Sequence, residues 1–118
     1  MKPGREMDLE IARKLFHFAV IYDADKNEYF LSSTDLSRQW PVPRYTTKVE
    51  DSHLVIKRMS ELGFQYKIES ILSDEDGSLI WRATFQKTNL VIIFDGTSLS
   101  HAVGLAALFH ASPGLFNK

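Results

Sequence analysis

The segment Arg38-Gln39-Trp40-Pro41-Val42-Pro43-Arg44-Tyr45-Thr46-Thr47 is the least ordinary part of the sequence. It sets arginines and aromatic rings on a proline-stiffened stretch that runs into a helix start. Arginine forks suit phosphates, and Trp or Tyr faces suit bases and ribose-bearing rings. Trp40, Arg44, Tyr45 and Thr47 are therefore candidate ligand-binding residues. The plainer alternative is that Trp40 packs over the core and the prolines only rigidify the turn. A second candidate is Gly96-Thr97-Ser98-Leu99-Ser100, which follows an apolar strand and opens a helix, the setting of a nucleophile elbow. Its fifth position is Ser100 where that elbow needs glycine, and the chain is too short for an ordinary α/β-hydrolase. The hydroxyls of Thr97 and Ser98 are already explained as helix caps. Free N–H groups and a positive dipole end could still hold a phosphate there, so Thr97 and Ser98 join the ligand-binding candidates.

Other patterns carry less. The histidines His17, His53, His101 and His110 never pair at the i, i+4 spacing that presents two ligands on one helix face. The run Asp74-Glu75-Asp76-Gly77 resembles a calcium loop only superficially. With Gly77 at the sixth position, Leu72 falls where the first carboxylate belongs, so a solvated hairpin turn accounts for it. With no cysteine, thiol catalysis, disulfides, iron–sulfur clusters and Cys-rich zinc sites are all absent. No catalytic residue, metal site or cofactor is expected, and the chain is expected not to be an enzyme.

The elements that would position these residues follow from hydrophobic spacing. Met7, Ile11 and Leu15 recur every four residues within an amphipathic helix from about Arg5 to Phe16. His17–Asp23 and Glu28–Ser32 read as strands of a hairpin across Asp23-Ala24-Asp25-Lys26-Asn27. The prolines at 41 and 43 force an extended path. A helix is predicted from Thr47, with Thr47 and Glu50 spaced as a capping box, Val49, Val55, Ile56, Met59 and Leu62 as its apolar stripe, and Gly63 as its stop. Phe64–Leu72 and Leu79–Phe85 alternate across the acidic turn as a second hairpin. Leu90–Phe94 is apolar at every position and reads as a strand covered on both sides. Ser98–Ala111, capped by Thr97 or Ser98, is the last helix. The order α-β-β-α-β-β-β-α predicts an α+β fold, a single domain with an antiparallel sheet and helices packed on its faces.

Size and charge bound the rest. One domain is the natural content of 118 residues, enough to bury roughly 65% of the unfolded chain's surface. Hydrophobic residues make up 44% of the chain, which excludes a disordered tail. Fourteen Lys+Arg against fifteen Asp+Glu leave a net charge of −1, and a general nucleic-acid or membrane-surface binder would be strongly basic. Neither nucleic acid nor membrane is expected as a partner. Acidic residues interrupt the N-terminal stretch, so no signal peptide is read there.

Three segments carry a resemblance. Met1-Lys2-Pro3-Gly4-Arg5-Glu6-Met7-Asp8 with Ile11-Ala12-Arg13-Lys14, then Trp40–Thr47 running into Val49–Gly63, then the Ala- and Leu-rich Ala102–Leu108, stand in order along the chain. Together they resemble the opening, the middle-helix entry with its Gly63-Phe64 exit, and the last helix of the phage ABA (alpha–beta–alpha) sandwich domain family, over nearly all of residues 1–118. The chain departs from that pattern at Thr46-Thr47-Lys48, where the family usually has Ser-Thr-Asp. Lys48 weakens the match to the helix dipole and puts in doubt any ligand role tied to an acid at that position.

The resemblance implies a phage or prophage protein of the host bacterial cytoplasm, and no established activity comes with it. Small phage accessory proteins often counter host defence, and one strategy is a sponge that binds a nucleotide immune signal without cleaving it. The leading expectation is such a non-enzymatic sponge, a homo-oligomer holding a small phosphate-bearing ligand such as a cyclic nucleotide. The alternative is a protein–protein interaction module that inhibits a host protein or has a structural accessory role. A hydrolase ranks third. Arg38, Arg44 and Arg82 are the charges whose placement matters most, and the tail Pro113-Gly114-Leu115-Phe116 is free to pack on the core or on a neighbouring subunit.

Overall fold

A computed structural model describes residues 1–32 and 40–116. Three helices, α1 (Arg5–Lys14), α2 (Val49–Glu61) and α3 (Leu99–Ala111), alternate with strands β1 (Val20–Asp23), β2 (Glu28–Leu31), β3 (Trp40–Pro41), β4 (Gln65–Leu72), β5 (Leu79–Lys87) and β6 (Leu90–Gly96). The α+β class and the order of the longer elements are as the sequence predicts. The additions are β3, a two-residue strand at Trp40–Pro41, and a short 3-10 turn at Pro113–Phe116. The strands form two separate three-stranded antiparallel sheets, β1-β2-β3 and β4-β5-β6, where one sheet was expected.

The core is organised around α3. A helix apolar on every side must be buried on every side, and the unbroken run Ser100–Leu108 is buried. It packs against β5 and β6 and against both other helices. Ser98 caps it, its Oγ accepting from the His101 N–H at 3.1 Å. Beyond its end, Phe116 folds back onto Phe94 and Phe109, with ring centroids 5.4 and 5.6 Å away. The tail therefore packs on the chain's own core.

Three expectations give way. Thr47 does not cap α2: the N-cap is Lys48, with no side-chain cap bond. A turn closed by the Thr47 and Lys48 N–H groups on the Arg44 carbonyl leads into the helix. Asp51, one turn inside, accepts from the Arg44 N–H at 2.7 Å and ties the turn to the helix. Val49 consequently leaves the apolar stripe and lies 48% exposed. The helix does end as predicted. Gly63 takes φ +97°, its N–H reaches Ser60 and the Phe64 N–H reaches Met59, the paired bonds of a Schellman turn.

The third concerns β6. Its register with β5 turns Ile92 and Phe94 towards α3 and places Val91, Ile93 and Asp95 on the opposite face. That face meets solvent, with Val91 51% and Ile93 55% exposed, so the strand is covered on one side only. Alternate apolar residues of β6 thus serve the core and the surface, a distinction that an all-apolar run hides.

The close approach of β6 to α3 depends on one residue. A Cβ on Gly96 would stand 2.6 Å from the Ala102 nitrogen and 2.9 Å from its Cα, both backbone atoms of the helix. Gly96→Ala is therefore expected to cost at least the ~1–3 kcal/mol of an overpacked core. A thermal melt showing Gly96→Ala equal to the parent would refute the close fit.

Candidate ligand-binding cleft

Two segments far apart in sequence meet at one corner. The carboxylate of Asp8, fully buried in the first turn of α1, accepts from the Thr46 backbone N–H at 2.9 Å and from the Thr46 hydroxyl at 2.7 Å. In return the Thr46 oxygen accepts from the Gly4 N–H at 2.9 Å, at the N-cap of the same helix. A helix start leaves N–H groups without partners, and here a side chain 42 residues away supplies one.

Arg5 extends the corner outwards. Its guanidinium donates to Asp8 Oδ2 at 3.3 Å, to the Pro43 carbonyl at 3.2 Å and to Glu28 Oε1 at 2.7 Å. Glu28 also accepts from its neighbour, the Tyr29 N–H, at 2.8 Å, and Arg44 approaches its other oxygen at 3.4 Å. The Tyr29 N–H first, and the Arg5 hydrogen bond second, hold the Glu28 carboxyl below its ordinary range.

These residues wall an open cleft of about 390 Å³, lined by Arg5, Glu28, Pro41, Val42, Pro43, Arg44, Lys48 and Asp51. Its volume lies within the about 300–1,000 Å³ of pockets that take small organic ligands. Three cations face two carboxylates across it. Arg44 is the accessible one of its two arginines, with 45% of its side chain exposed against 22% for Arg5.

The residues singled out from the sequence scatter. Arg44 lines the cleft, and Thr47 is exposed on the adjoining turn. Tyr45 is 1% exposed and stacks on Phe16 at 5.3 Å. Burial, followed by the nearby carboxylates of Asp8 and Asp51, pushes its phenol well above the ordinary value, so it is a neutral core ring. Trp40 is 58% exposed on β3 beside the cleft residue Pro41, so the plainer alternative, that it packs over the core, does not hold. Thr97 and Ser98 are not among the cleft's lining. Their groups are already engaged: the Thr97 N–H donates to His101 Nδ1 at 3.0 Å, and Ser98 caps α3. Arg82 forms a two-pronged ion pair with Asp95 at 2.8 and 3.1 Å. Arg38 lies outside the described residues. The sequence reading missed Arg5, Glu28 and Lys48. Arg5 had a signal, an arginine directly after the helix-capping Gly4, whereas Glu28 enters only because the first hairpin folds over the corner.

No family model matches the chain, and no curated protein sequence does. Among solved structures it is similar to a phage protein from Bacillus cereus ATCC 14579, with a TM-score of 0.62 at 20% identity, covering 95% of this chain and 92% of that one. The class is thus an α+β fold shared with a phage protein; at this identity the likeness concerns the fold alone.

The corner sets a test of its own. Asp8→Ala strands the Thr46 donors and the Arg5 charge, an uncompensated loss of about 3–5 kcal/mol. Thr46→Val removes one hydroxyl from a buried carboxylate, at about 1–3 kcal/mol. Urea unfolding should rank the two in that order, and parental stability for both would remove the corner from its structural role.

Proposed function

We propose that this chain is a phage or prophage accessory protein of the ABA-sandwich type that captures a small phosphate-bearing ligand without cleaving it. The carrying observation is the cleft of Arg5, Arg44 and Lys48, in which Arg5 is engaged by Asp8 and Glu28, Arg44 reaches Glu28 only at 3.4 Å, and Arg44 and Lys48 are the exposed cations. Guanidinium and ammonium groups on a rigid turn suit a phosphate, and exposed Trp40 beside them offers a face for a base. A nucleotide immune signal of the host bacterial cytoplasm fits that chemistry.

Calorimetric titration with a panel of cyclic and linear nucleotides tests this. At least one is expected to bind and to be recovered intact after denaturation. Arg44→Ala should weaken it about tenfold or more, the worth of one charge-assisted hydrogen bond or two, with little change in melting temperature. A panel without a binder, or full affinity in Arg44→Ala, would overturn the assignment of the cleft; a cleaved nucleotide would overturn capture.

The alternative, a protein-interaction module, draws support from the exposed apolar residues Ile21, Tyr22 and Trp40 of the small sheet and from β6. In the tight β5–β6 hairpin Lys87 and Leu90 close a hydrogen-bonded pair, so the backbone groups of Val91, Ile93 and Asp95 point away from β5. An edge of this kind readily accepts another strand, and a second copy of the chain would supply one, in keeping with a homo-oligomer. Light scattering should then find an oligomer that Ile93→Lys dissociates; a monomer at about 100 μM, with the tenfold drop per 1.4 kcal/mol in mind, would exclude a stable self-association.

A further inference from the structure

A second cleft lies where the C-terminal ends of the three helices converge. It encloses about 210 Å³ and is lined by Lys14, Leu15, His17, Arg58, Leu62, His110 and Ala111. Every titratable group in that lining is basic. Among the described residues none of these four basic side chains forms an ion pair, while Arg5, Arg44 and Arg82 each hold a carboxylate. Lys87 adds to the same corner, its Nζ donating to the Leu62 carbonyl at 3.1 Å.

Helix ends are the obvious reason for cations here, because each carries about −0.5 of partial charge. Three ends amount to about −1.5. Lys14 and Arg58 in the lining, with Lys87 beside it, carry three full positive charges. The helix dipoles therefore leave an excess of positive charge in a recess with no acidic wall.

Positions are fixed as well as charges. Arg58 Nε donates to the Leu15 carbonyl at 3.3 Å, which holds the plane of the guanidinium. Leu15 in turn ends α1, and the chain leaves the helix through His17 at φ +59°. The His110 ring packs edge-on against Phe64 at 4.8 Å. Burial first, then the charge of Lys87, hold it below the ordinary imidazole value, so at neutral pH it offers one N–H and no charge.

We infer that this recess is an oxyanion site for a single phosphate or pyrophosphate group, bound by the Arg58 fork, Lys14 and the imidazoles of His17 and His110. Its volume is below the range of pockets for drug-sized ligands, which selects a compact, highly charged group. The site is separate from the Arg44 cleft, shares none of its lining residues, and does not depend on the capture of a nucleotide there.

Amide and imidazole resonances followed by NMR during titration with sodium pyrophosphate, at constant ionic strength, test the inference. Saturable shifts are expected at Lys14, His17, Arg58 and His110. Arg58→Gln should weaken binding about tenfold, the worth of a charged fork to an oxyanion, and Arg44→Ala should leave it unchanged. Because Arg58 also holds the end of α1, the exposed variant Lys14→Ala provides a second reading, an expected loss of about threefold in a chain that keeps its fold. Absence of saturable shifts, equal shifts with sodium chloride, or unchanged affinity in Lys14→Ala and Arg58→Gln would overturn it.

Discussion

The buried carboxylate of Asp8 is the constraint on which the rest of this structure depends. An isolated carboxylate inside a protein is expensive, and the expense falls only if every lone pair meets a donor. Here those donors come from Thr46 and Arg5, so the first helix and the 44–47 turn are held in one arrangement. Everything outward of that corner inherits the arrangement. The Arg5 guanidinium that Asp8 holds also reaches Glu28 and Pro43, and Arg44 is placed at the cleft by the bonded Pro43 carbonyl before it and by its own N–H on Asp51.

The corner also explains why the two clefts differ. At the N-terminal end of α1, Arg5, Glu28, Arg44 and Asp51 form a balanced set of charges, with Lys48 as the one further cation in the lining. At the other end of the same helix Arg58 answers the Leu15 carbonyl, and the basic lining residues have no acid among them. The N-terminal corner is cemented by mutual satisfaction of its charges; the C-terminal one keeps a surplus. A net charge of −1 for the whole chain conceals both.

Much of the fold was legible in the sequence because hydrophobic period decides it. The four-residue spacing of Met7, Ile11 and Leu15, the alternation along β4 and β5, and the glycine after α2 each have one physical reading. β6 was harder. Val91, Ile92 and Ile93 are all apolar, and only the register with β5 shows that Ile92 faces the core while its neighbours face out. Thr47 looked like a cap because hydroxyl and glutamate had the right spacing, yet the helix starts one residue after Lys48. Its start is held by Asp51 reaching back to Arg44, a bond that depends on the shape of the preceding turn. At the candidate cleft, Arg44 could be read from its neighbours, whereas Glu28 could not. Tyr45 shares its local chemistry with a ligand-binding tyrosine and is separated from that role only by burial.

The pairing of Asp8 with Thr46 closes a loop of 38 residues. The entropy of closing such a loop grows only with the logarithm of its length, about 0.6 kcal/mol for each doubling. The hairpin between the two halves of the corner can thus be lengthened or shortened at small cost, provided both halves persist. Chains built on the same corner would differ widely in the number of residues between the Gly-Arg start of the first helix and the proline-rich entry to the second. What would identify them is the complementarity of two short segments, one acidic and one hydroxyl-bearing, rather than any fixed interval.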